Sequence, residues 1–218
     1  MCSSDLQGSE QWDGTHVATS MVMWALLFAM FFIPAYPGAG YEVRGNGEMF
    51  PLNGPSWSLF FEYIGNILYA LFIRRLSTKA LTVFVVLLGI CLACFAIFDV
   101  SGYGMIGVGW TLDSVNFVGG LLQMLFPFSL GLLLSRNFKP VKVRGAFWIC
   151  SFVLLVLFCV PYVEGVEPIC MNGLFEAFCI VVVFPVLIIL GASGNTTDKT
   201  STRICKLDRK STRLNSSH

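Results

Sequence analysis

Six long apolar stretches, separated by short polar segments, set the pattern of the chain. Apolar side chains occupy every face of each stretch, and only Glu62 and Glu176 carry charge inside them. A helix that crosses a bilayer needs about 17–25 such residues, whereas a helix on the surface of a soluble protein keeps one polar face. The pattern therefore predicts an all-α polytopic membrane bundle of six transmembrane helices, at residues 17–36, 56–73, 80–98, 117–134, 146–163 and 174–191.

The scarcity of charged residues supports this interpretation. Of the 218 residues, 56% are apolar and 12% are charged, which is about half the charged share of a soluble domain. This composition excludes a disordered chain and an ordinary cytosolic enzyme, and a net charge of +1 offers no basic surface to nucleic acid. A soluble protein with a very large buried core is the alternative, but six stretches with so few charges argue against it.

The charges outside the stretches alternate between basic and acidic segments along the chain. Segments with an excess of Lys and Arg remain in the cytoplasm, so the alternation predicts an orientation for every span. On this prediction, loop 37–55 faces outward. The acidic segments contain Asp99, Asp113, Glu164 and Glu167. The basic segments contain Arg74, Arg75, Lys79, Arg136, Lys139, Lys142, Arg144, Lys199, Arg203 and Lys206.

Both ends of the chain resemble a translated sequencing adapter. The stretch DRKSTRLNSSH at residues 208–218 can be encoded by a common short-read adapter, and CSSDL at residues 2–6 can be encoded by its reverse complement. We therefore expect residues 1–6 and 208–218 to be adapter-derived tails, and residues 7–207 to be an internal piece of a longer membrane domain. The alternative is a genuine polar tail. It would be established if the nucleotide sequence used codons there that differ from those of the adapter.

Polar residues before and within the second stretch are the strongest candidates for chemistry. Gly54 and Pro55 predict a turn, and Ser56 is a suitable N-cap for the helix that follows. Trp57 stands where the helix enters the membrane, a position that interfacial tryptophan anchors also occupy. The turn and the first helical turn thus bring several polar or aromatic groups to one end of the span.

One polar stripe runs along the same helix. Ser58, Glu62 and Asn66 are spaced four residues apart, and Tyr69 follows, so these side chains lie on one helix face. A carboxylate inside a bilayer costs about 2.5–3.5 kcal/mol on insertion scales, and it therefore faces a bundle interior or a wet cavity. The stripe predicts a functional site, and the alternative is a glutamate that only fixes helix packing.

The Asn53–Glu62 stretch, read as Asn-Gly-Pro-Ser-Trp-Ser-Leu followed by Glu62, resembles the signature of the acyltransferase 3 family of bacterial membrane O-acyltransferases. Phe126–Arg136 resembles a later span of that family, which ends in a Gly and a cytoplasmic Arg. The stretch from Asn172 to Ala192 resembles a span near the family's C-terminal end. Together these similarities cover essentially all of residues 7–207.

The resemblance implies transfer of an acyl group, often acetyl, from acyl-CoA to a hydroxyl group of a surface or lipid-linked carbohydrate. It also implies a multi-pass protein of the bacterial inner membrane, with acyl-CoA as a substrate and with neither a bound cofactor nor a metal. The family's presumed catalytic histidine lies in its first membrane helix, and His16 does not match that position. We therefore expect this stretch of chain to be inactive by itself.

The site residues that follow from the resemblance fall into three groups. The first group, with supporting catalytic roles, is Glu62 and Ser58. The second group, which would bind the carbohydrate, is Asn53, Trp57, Asn66 and Glu176. The third group, which would meet acyl-CoA on the cytoplasmic side, is Arg74, Arg75 and Arg136. The alternative for the arginines is that they only set the topology, and the alternative for Glu176 is that it is only a solvated residue at a helix N-terminus.

Two other classes of membrane protein fit parts of the pattern. A transporter or flippase would use an intramembrane glutamate and broken helices along its substrate path, and Pro127 and Pro185 lie within predicted spans. Such a protein often contains an internal repeat, which this sequence lacks. In a non-catalytic membrane protein, the polar stripe would only join helices. Cys91 and Cys94 lie in mid-helix and are interpreted as packing residues rather than metal ligands.

Overall fold

The fold was analysed from a computed structural model, which describes residues 10–11, 14–107, 109–139, 141–161 and 170–195. The expected tails at residues 1–6 and 208–218 lie outside these residues. The acidic positions Glu164 and Glu167 and the basic positions Lys199, Arg203 and Lys206 also lie outside them. The expectations for those segments therefore stay predictions.

Helices make up nearly all of the regular structure. A single-turn 3-10 helix, Ile73–Arg75, follows α2, and a π-helical turn, Cys179–Val183, joins α6 to α7. The helices are α1 (Thr19–Met30), α2 (Ser56–Leu71), α3 (Thr78–Ile97), α4 (Ser114–Asn137), α5 (Ala146–Phe158), α6 (Met171–Phe178) and α7 (Phe184–Ala192). Two short strands, β1 (Val143–Arg144) and β2 (Gly194–Asn195), form a parallel pair.

The fold is an all-α bundle of membrane-type helices, as the apolar pattern predicts. Among the described residues, four helical segments are long and apolar enough to cross a membrane, namely Ser56–Arg75, Thr78–Ile97, Ser114–Asn137 and Met171–Ala192. The other two apolar helices, Thr19–Met30 and Ala146–Phe158, are shorter. The expected count of six spans is therefore not confirmed.

The two short helices end before a proline. Helix α1 stops at Met30 rather than at residue 36, because Phe32 adopts a left-handed conformation with φ 57°. Its amide donates to Ala29 O, and the next amide, of Ile33, donates to Phe28 O at 2.9 Å, a closing arrangement typical of helix C-termini. Helix α5 ends at Phe158, three residues before Pro161. Proline has no N–H with which to continue a helix.

The start of α2 differs from the sequence-based expectation in one detail. The helix begins at Ser56, as predicted, but the capping position belongs to Pro55, and no side chain caps the helix. Ser56 is instead a buried residue of the first turn. By contrast, α3 begins after Ser77, whose hydroxyl oxygen accepts a hydrogen bond from the Ala80 amide at 3.2 Å.

The chain divides into two compact units. The first unit contains residues 1–136 and 164–177, and the second contains residues 137–163 and 178–218. Within the second unit, the buried residue Ser193 lies directly before β2 and accepts hydrogen bonds from the first residue of β1 and from the segment that leads into it. The Ser193 carbonyl accepts from the Val143 amide at 3.2 Å, and its hydroxyl oxygen accepts from the Val141 amide at 3.3 Å.

The first unit holds the helices that carry the candidate site. The buried face of α3 follows the helical period and packs against α4, where a Cβ at Gly89 would lie 2.9 Å from the Phe126 ring. Gly120 of α4 makes an even closer approach to Phe61 of α2, where a Cβ would lie 2.6 Å from the ring. Small residues at such positions let membrane helices approach closely. The buried apolar residues of α3 are Leu81, Val85, Leu88, Leu92, Phe95 and Ala96.

Large apolar side chains cover the outside of the helices. Phe152 of α5 is 66% exposed and Val83 of α3 is 60% exposed. A soluble protein rarely leaves so many large apolar groups in contact with water, whereas a lipid environment favours them. The exposed apolar residues of α3 are Val83, Val86, Leu87 and Ile90.

Candidate active site

A cavity of about 440 Å³ lies between α2 and α4. Four predicted site residues, all on α2, come together on one of its walls. The lining consists of Trp57, Ser58, Phe61, Glu62, Asn66, Gly120, Gln123, Met124, Pro127 and Phe128. A concave apolar pocket with a few convergent polar groups is the usual form of a small-molecule site.

Helix α2 forms this wall because its apolar and polar side chains alternate with the helical period. Phe61 is 1% exposed and packs against Gly120 and Phe117 of α4, which fixes the helix against its neighbour. Glu62, one position further, remains exposed and borders the cavity together with Asn66. Packing by Phe61 thus determines where the carboxyl group of Glu62 lies.

Three polar side chains of the cavity each donate one hydrogen bond to the backbone. The Ser58 hydroxyl donates to Pro55 O at 3.0 Å, and the Asn66 side-chain amide donates to Glu62 O at 2.9 Å. The Gln123 side-chain amide donates to Ile106 O. Since a hydroxyl group has one proton and an amide group has two, Ser58 keeps only acceptor capacity, whereas Asn66 and Gln123 each keep an oxygen acceptor and one N–H.

The wall formed by α4 contains a proline. Pro127 lies inside the helix and borders the cavity. Since proline lacks an N–H, it cannot make the usual helical bond to the carbonyl four residues earlier, which belongs to Gln123. Met124, another lining residue, contacts the backbone of Gly65 on α2. Gln123 is therefore the polar side chain that α4 contributes to the lining.

The loop between α3 and α4, which we call the covering loop, packs on Trp57 at one edge of the cavity. Gly109 packs so closely on Trp57 that a Cβ there would lie 2.9 Å from the indole ring. The Gly109 amide donates to the Asn116 side-chain oxygen at 3.1 Å, and Asn116 is 5% exposed. The covering loop thus holds a residue of the lining, although none of its own described residues borders the cavity.

Asp113 fixes the end of that loop to the start of α4. Its carboxylate accepts from the Val115 and Asn116 amides, each at 3.0 Å, and from the side chains of Thr111 and Asn116. Burial raises the pKa of Asp113, but the hydrogen bonds from Asn116, Thr111 and Val115 together outweigh it and lower the pKa below its usual range. The resulting stabilisation is present at neutral pH and is lost as the pH falls through that lowered pKa.

Glu176 and Asn53 do not border the cavity. Glu176 is half-buried on α6, where its carboxylate accepts from the Ile106 amide at 2.6 Å. Asn53 is exposed in the turn before α2, and its carbonyl accepts from the Ser56 amide at 3.0 Å. The structure thus places Glu176 against the covering loop, and Asn53 outside the cavity.

The segment before α2 holds that turn in place through an ion pair. Arg44 and Glu48 form a salt bridge at 2.8 Å, and the Asn46 side chain donates to Glu48 at 2.9 Å. This pair lies against Gly54, where a Cβ would be 3.4 Å from the Glu48 carboxylate. The backbone of Glu48 also pairs with Thr111 of the covering loop. The segment that leads into α2 is therefore connected to the covering loop.

The three predicted arginines gather at the opposite end of α2. Arg74 and Arg75 form the 3-10 turn that follows the helix, and both are exposed. Arg136, also exposed at the end of α4, donates to Leu76 O at 2.7 Å. The described residues thus place three guanidinium groups at one end of the α2–α4 pair and the polar cavity nearer the other end.

The sequence analysis missed Gln123. Its signal was present, because Gln123 is the one amide side chain in the apolar stretch 117–134. The sequence does not show that this amide reaches Ile106, since the contact depends on the irregular path of the loop between α3 and α4.

Comparison with known families gives one match. A family model for the acyltransferase domain of the acyltransferase 3 type matches residues 15–206. No curated protein sequence and no solved structure matches the chain. The matched residues include the cavity, the covering loop and the arginine end.

Proposed function

The chain belongs to the acyltransferase 3 family. On this premise we propose that it acts in acyl transfer as the acyltransferase domain of an integral membrane O-acyltransferase. The reaction would transfer an acyl group, preferably acetyl, from acyl-CoA to a hydroxyl group of a cell-surface or lipid-linked carbohydrate. The observation that carries the proposal is the cavity between α2 and α4, where Trp57, Ser58, Glu62 and Asn66 meet.

The chemistry of the cavity suits a carbohydrate acceptor. Sugar hydroxyl groups are hydrogen-bond donors, and the cavity offers acceptors on Ser58, Glu62 and Asn66. The indole of Trp57 supplies a flat apolar surface on which the apolar face of a sugar ring can pack. Asn53 and Glu176, predicted as carbohydrate ligands, lie outside this lining, and we therefore place the first contacts on α2.

The proposed reaction forms one ester bond and breaks one thioester bond. As the acceptor oxygen attacks the thioester carbon, its proton passes to a general base, and the CoA thiolate leaves and takes up a proton. We propose that the Glu62 carboxylate orients the acceptor hydroxyl or the base during this step, and that Ser58 supports it by accepting a hydrogen bond. The Ser58 hydroxyl is engaged by Pro55 O, which disfavours a covalent acyl-serine.

The arginine end suits the donor. Arg74, Arg75 and Arg136 can bind the phosphates of acyl-CoA, because guanidinium groups form charge-assisted pairs with phosphate. Glu62 precedes Arg75 by 13 residues, a distance of roughly 20 Å along a helix axis. Acyl-CoA carries its phosphates at one end of a long arm and its thioester at the other, which matches this separation. The same arginines support a cytoplasmic orientation of this end, in a bacterial inner membrane.

The test uses the protein expressed from its complete gene, in native membranes. Acetyl-CoA is supplied with the label either in the acetyl group or in the CoA portion. We expect label from the acetyl group alone to appear in glycan, in a form that mild alkali releases as acetate, above the level of membranes without the protein. Glycan that stays unlabelled with acetyl-CoA and with longer acyl-CoA donors would contradict the proposal and favour the transporter or flippase class.

A further inference from the structure

The Gln123 side chain is oriented by the covering loop. Its amide nitrogen donates to the backbone carbonyl of Ile106, a residue that is 3% exposed. Only the nitrogen of an amide can face a carbonyl oxygen, so this contact determines which way the amide is turned. Within the described part of the chain, no donor contacts the Gln123 Oε1 atom, which remains an acceptor on the cavity wall.

The Ile106 backbone is itself held from the other side. Its amide donates to the Glu176 carboxylate at 2.6 Å, a charge-assisted hydrogen bond. A continuous series of hydrogen bonds therefore runs from Glu176 on α6 through Ile106 of the covering loop to Gln123 at the cavity. Such a series can fix a side chain that contacts a ligand, although Glu176 does not border the cavity.

The acceptor atoms of the two cavity walls form one set. Gln123 supplies Oε1 from α4, and Ser58, Glu62 and Asn66 supply oxygen atoms from α2. The lining contains the acidic residue Glu62 and neither Lys nor Arg, so an anionic ligand would find no positive charge there. The oxygen acceptors on both walls instead suit a neutral ligand with several hydroxyl donors.

We propose that Gln123 determines acceptor specificity by accepting a hydrogen bond from one hydroxyl group of a neutral carbohydrate, and that Glu176 is a positioning residue acting through Ile106. This inference rests on the proposed acyl transfer. It adds a residue that recognises the acceptor, and it adds that the acceptor is uncharged where it binds. It replaces direct contact of Glu176 with the carbohydrate by an indirect role.

The test is a cycle of protein variants and ligand analogues. Octyl glycosides of glucose, galactose and mannose, and their monodeoxy analogues, compete with labelled acetyl transfer to membrane glycan. Gln123→Met removes the amide at nearly constant shape. Gln11→Met is the matched control, because the Gln11 amide also donates to a backbone carbonyl, Glu42 O at 2.8 Å, away from the cavity.

We expect the inhibition constant of the best glycoside to rise about 10-fold in Gln123→Met. One monodeoxy analogue should inhibit wild type and variant equally, because it lacks the hydroxyl group that Gln123 binds. Gln11→Met and the KM for acetyl-CoA should both stay unchanged. Glu176→Gln, which keeps a carbonyl acceptor for the Ile106 amide, should resemble wild type, whereas Glu176→Leu should reproduce part of the Gln123→Met pattern.

Three outcomes would overturn the inference. If Gln123→Met weakened inhibition by the parent glycoside and by all its deoxy analogues equally, Gln123 would have only a structural role. Labelled transfer that none of the neutral glycosides inhibits would contradict the neutral ligand. In both cases the proposed function would stand. Absence of transfer by the wild-type protein would instead overturn the proposed function, and this inference with it.

Discussion

Helices α2 and α3 belong to candidate spans of the same length, 20 residues each, but they differ in what their polar residues do. Helix α3 has a buried face of Leu81, Val85, Leu88 and Leu92 and packs on α4 through Gly89. Helix α2 packs on the same neighbour through Phe61, yet it also presents Ser58, Glu62 and Asn66 to an open cavity.

The difference indicates how a membrane helix can combine packing with function. A charged residue inside a bilayer costs about 2.5–3.5 kcal/mol, and α3 has no charged residue beyond Lys79 in its first turn. In α2, one aromatic residue provides the packing, and the polar residues beside it remain available to a ligand. We therefore expect changes in α3 to alter stability, and changes in α2 to alter activity.

The largest difference between α2 and α3 is expected in the stability of variants at their glycines. Gly89→Val should destabilise the fold by about 1–3 kcal/mol, because its Cβ would lie 2.9 Å from the buried ring of Phe126. Gly65→Val should cost less than about 1 kcal/mol, since it meets the flexible end of Met124, which can move. That movement narrows the cavity, so the KM for the acceptor should rise. Thermal unfolding in detergent and transfer kinetics measure the two effects.

Gly131→Val is the control for this pair, because a Cβ at Gly131 would have open space around it. Its unfolding temperature should remain near that of the wild type. Equal losses of stability in the Gly65 and Gly89 variants would show that α2 and α3 are both structural helices, contrary to the comparison.

An intermediate effect is expected where α2 ends and α3 begins. Arg75→Ala should raise the KM for acyl-CoA roughly 10-fold, because it removes a guanidinium group that can pair with phosphate. Lys79→Ala removes the same charge from the first turn of α3 and should raise the KM by less than about 2-fold. Kinetics at two salt concentrations measure both values. An equal rise in the two variants would indicate a general electrostatic attraction instead of a site at the end of α2.

The smallest effect concerns serines with the same local bonding. The Ser58 hydroxyl donates to the carbonyl three residues earlier at 3.0 Å, and the Ser135 hydroxyl of α4 does the same at 2.8 Å. Ser58→Ala should lower the transfer rate roughly 2- to 10-fold, because a ligand loses one hydrogen-bond acceptor. Ser135 lies outside the cavity, so Ser135→Ala should have no effect. Initial rates at saturating acetyl-CoA measure both variants. An equal loss of rate in the two variants would contradict the prediction and assign both serines a structural role.

The helices could be predicted from the apolar pattern, but the ends of two of them could not. All six apolar stretches correspond to helical segments, and α2 begins at Ser56 as expected. The early end of α1 depends on a left-handed turn at Phe32, a residue type that seldom adopts this conformation. Pro34 and Pro161 were visible in the sequence, but Pro127 lies inside α4 without ending it, so a proline alone did not predict where either helix ends.

The candidate site could be predicted only where it follows the helical period. The spacing of Ser58, Glu62 and Asn66 was sufficient to place them on one face of α2. The contact of Gln123 with Ile106 and the position of Glu176 depend on a loop without periodicity, so the sequence offered no rule for them. Loop-mediated contacts of this kind require coordinates.

The central claim is that the carboxyl group of Glu62 takes part in acyl transfer from the wall of the α2–α4 cavity. The most direct measurement is the initial rate of labelled acetyl transfer by Glu62→Gln, compared with Tyr63→Phe, which changes the next residue outside the cavity lining. The account predicts a loss of at least about 100-fold for Glu62→Gln and an unchanged rate for Tyr63→Phe. A Glu62→Gln rate within about 2-fold of the wild type would contradict it.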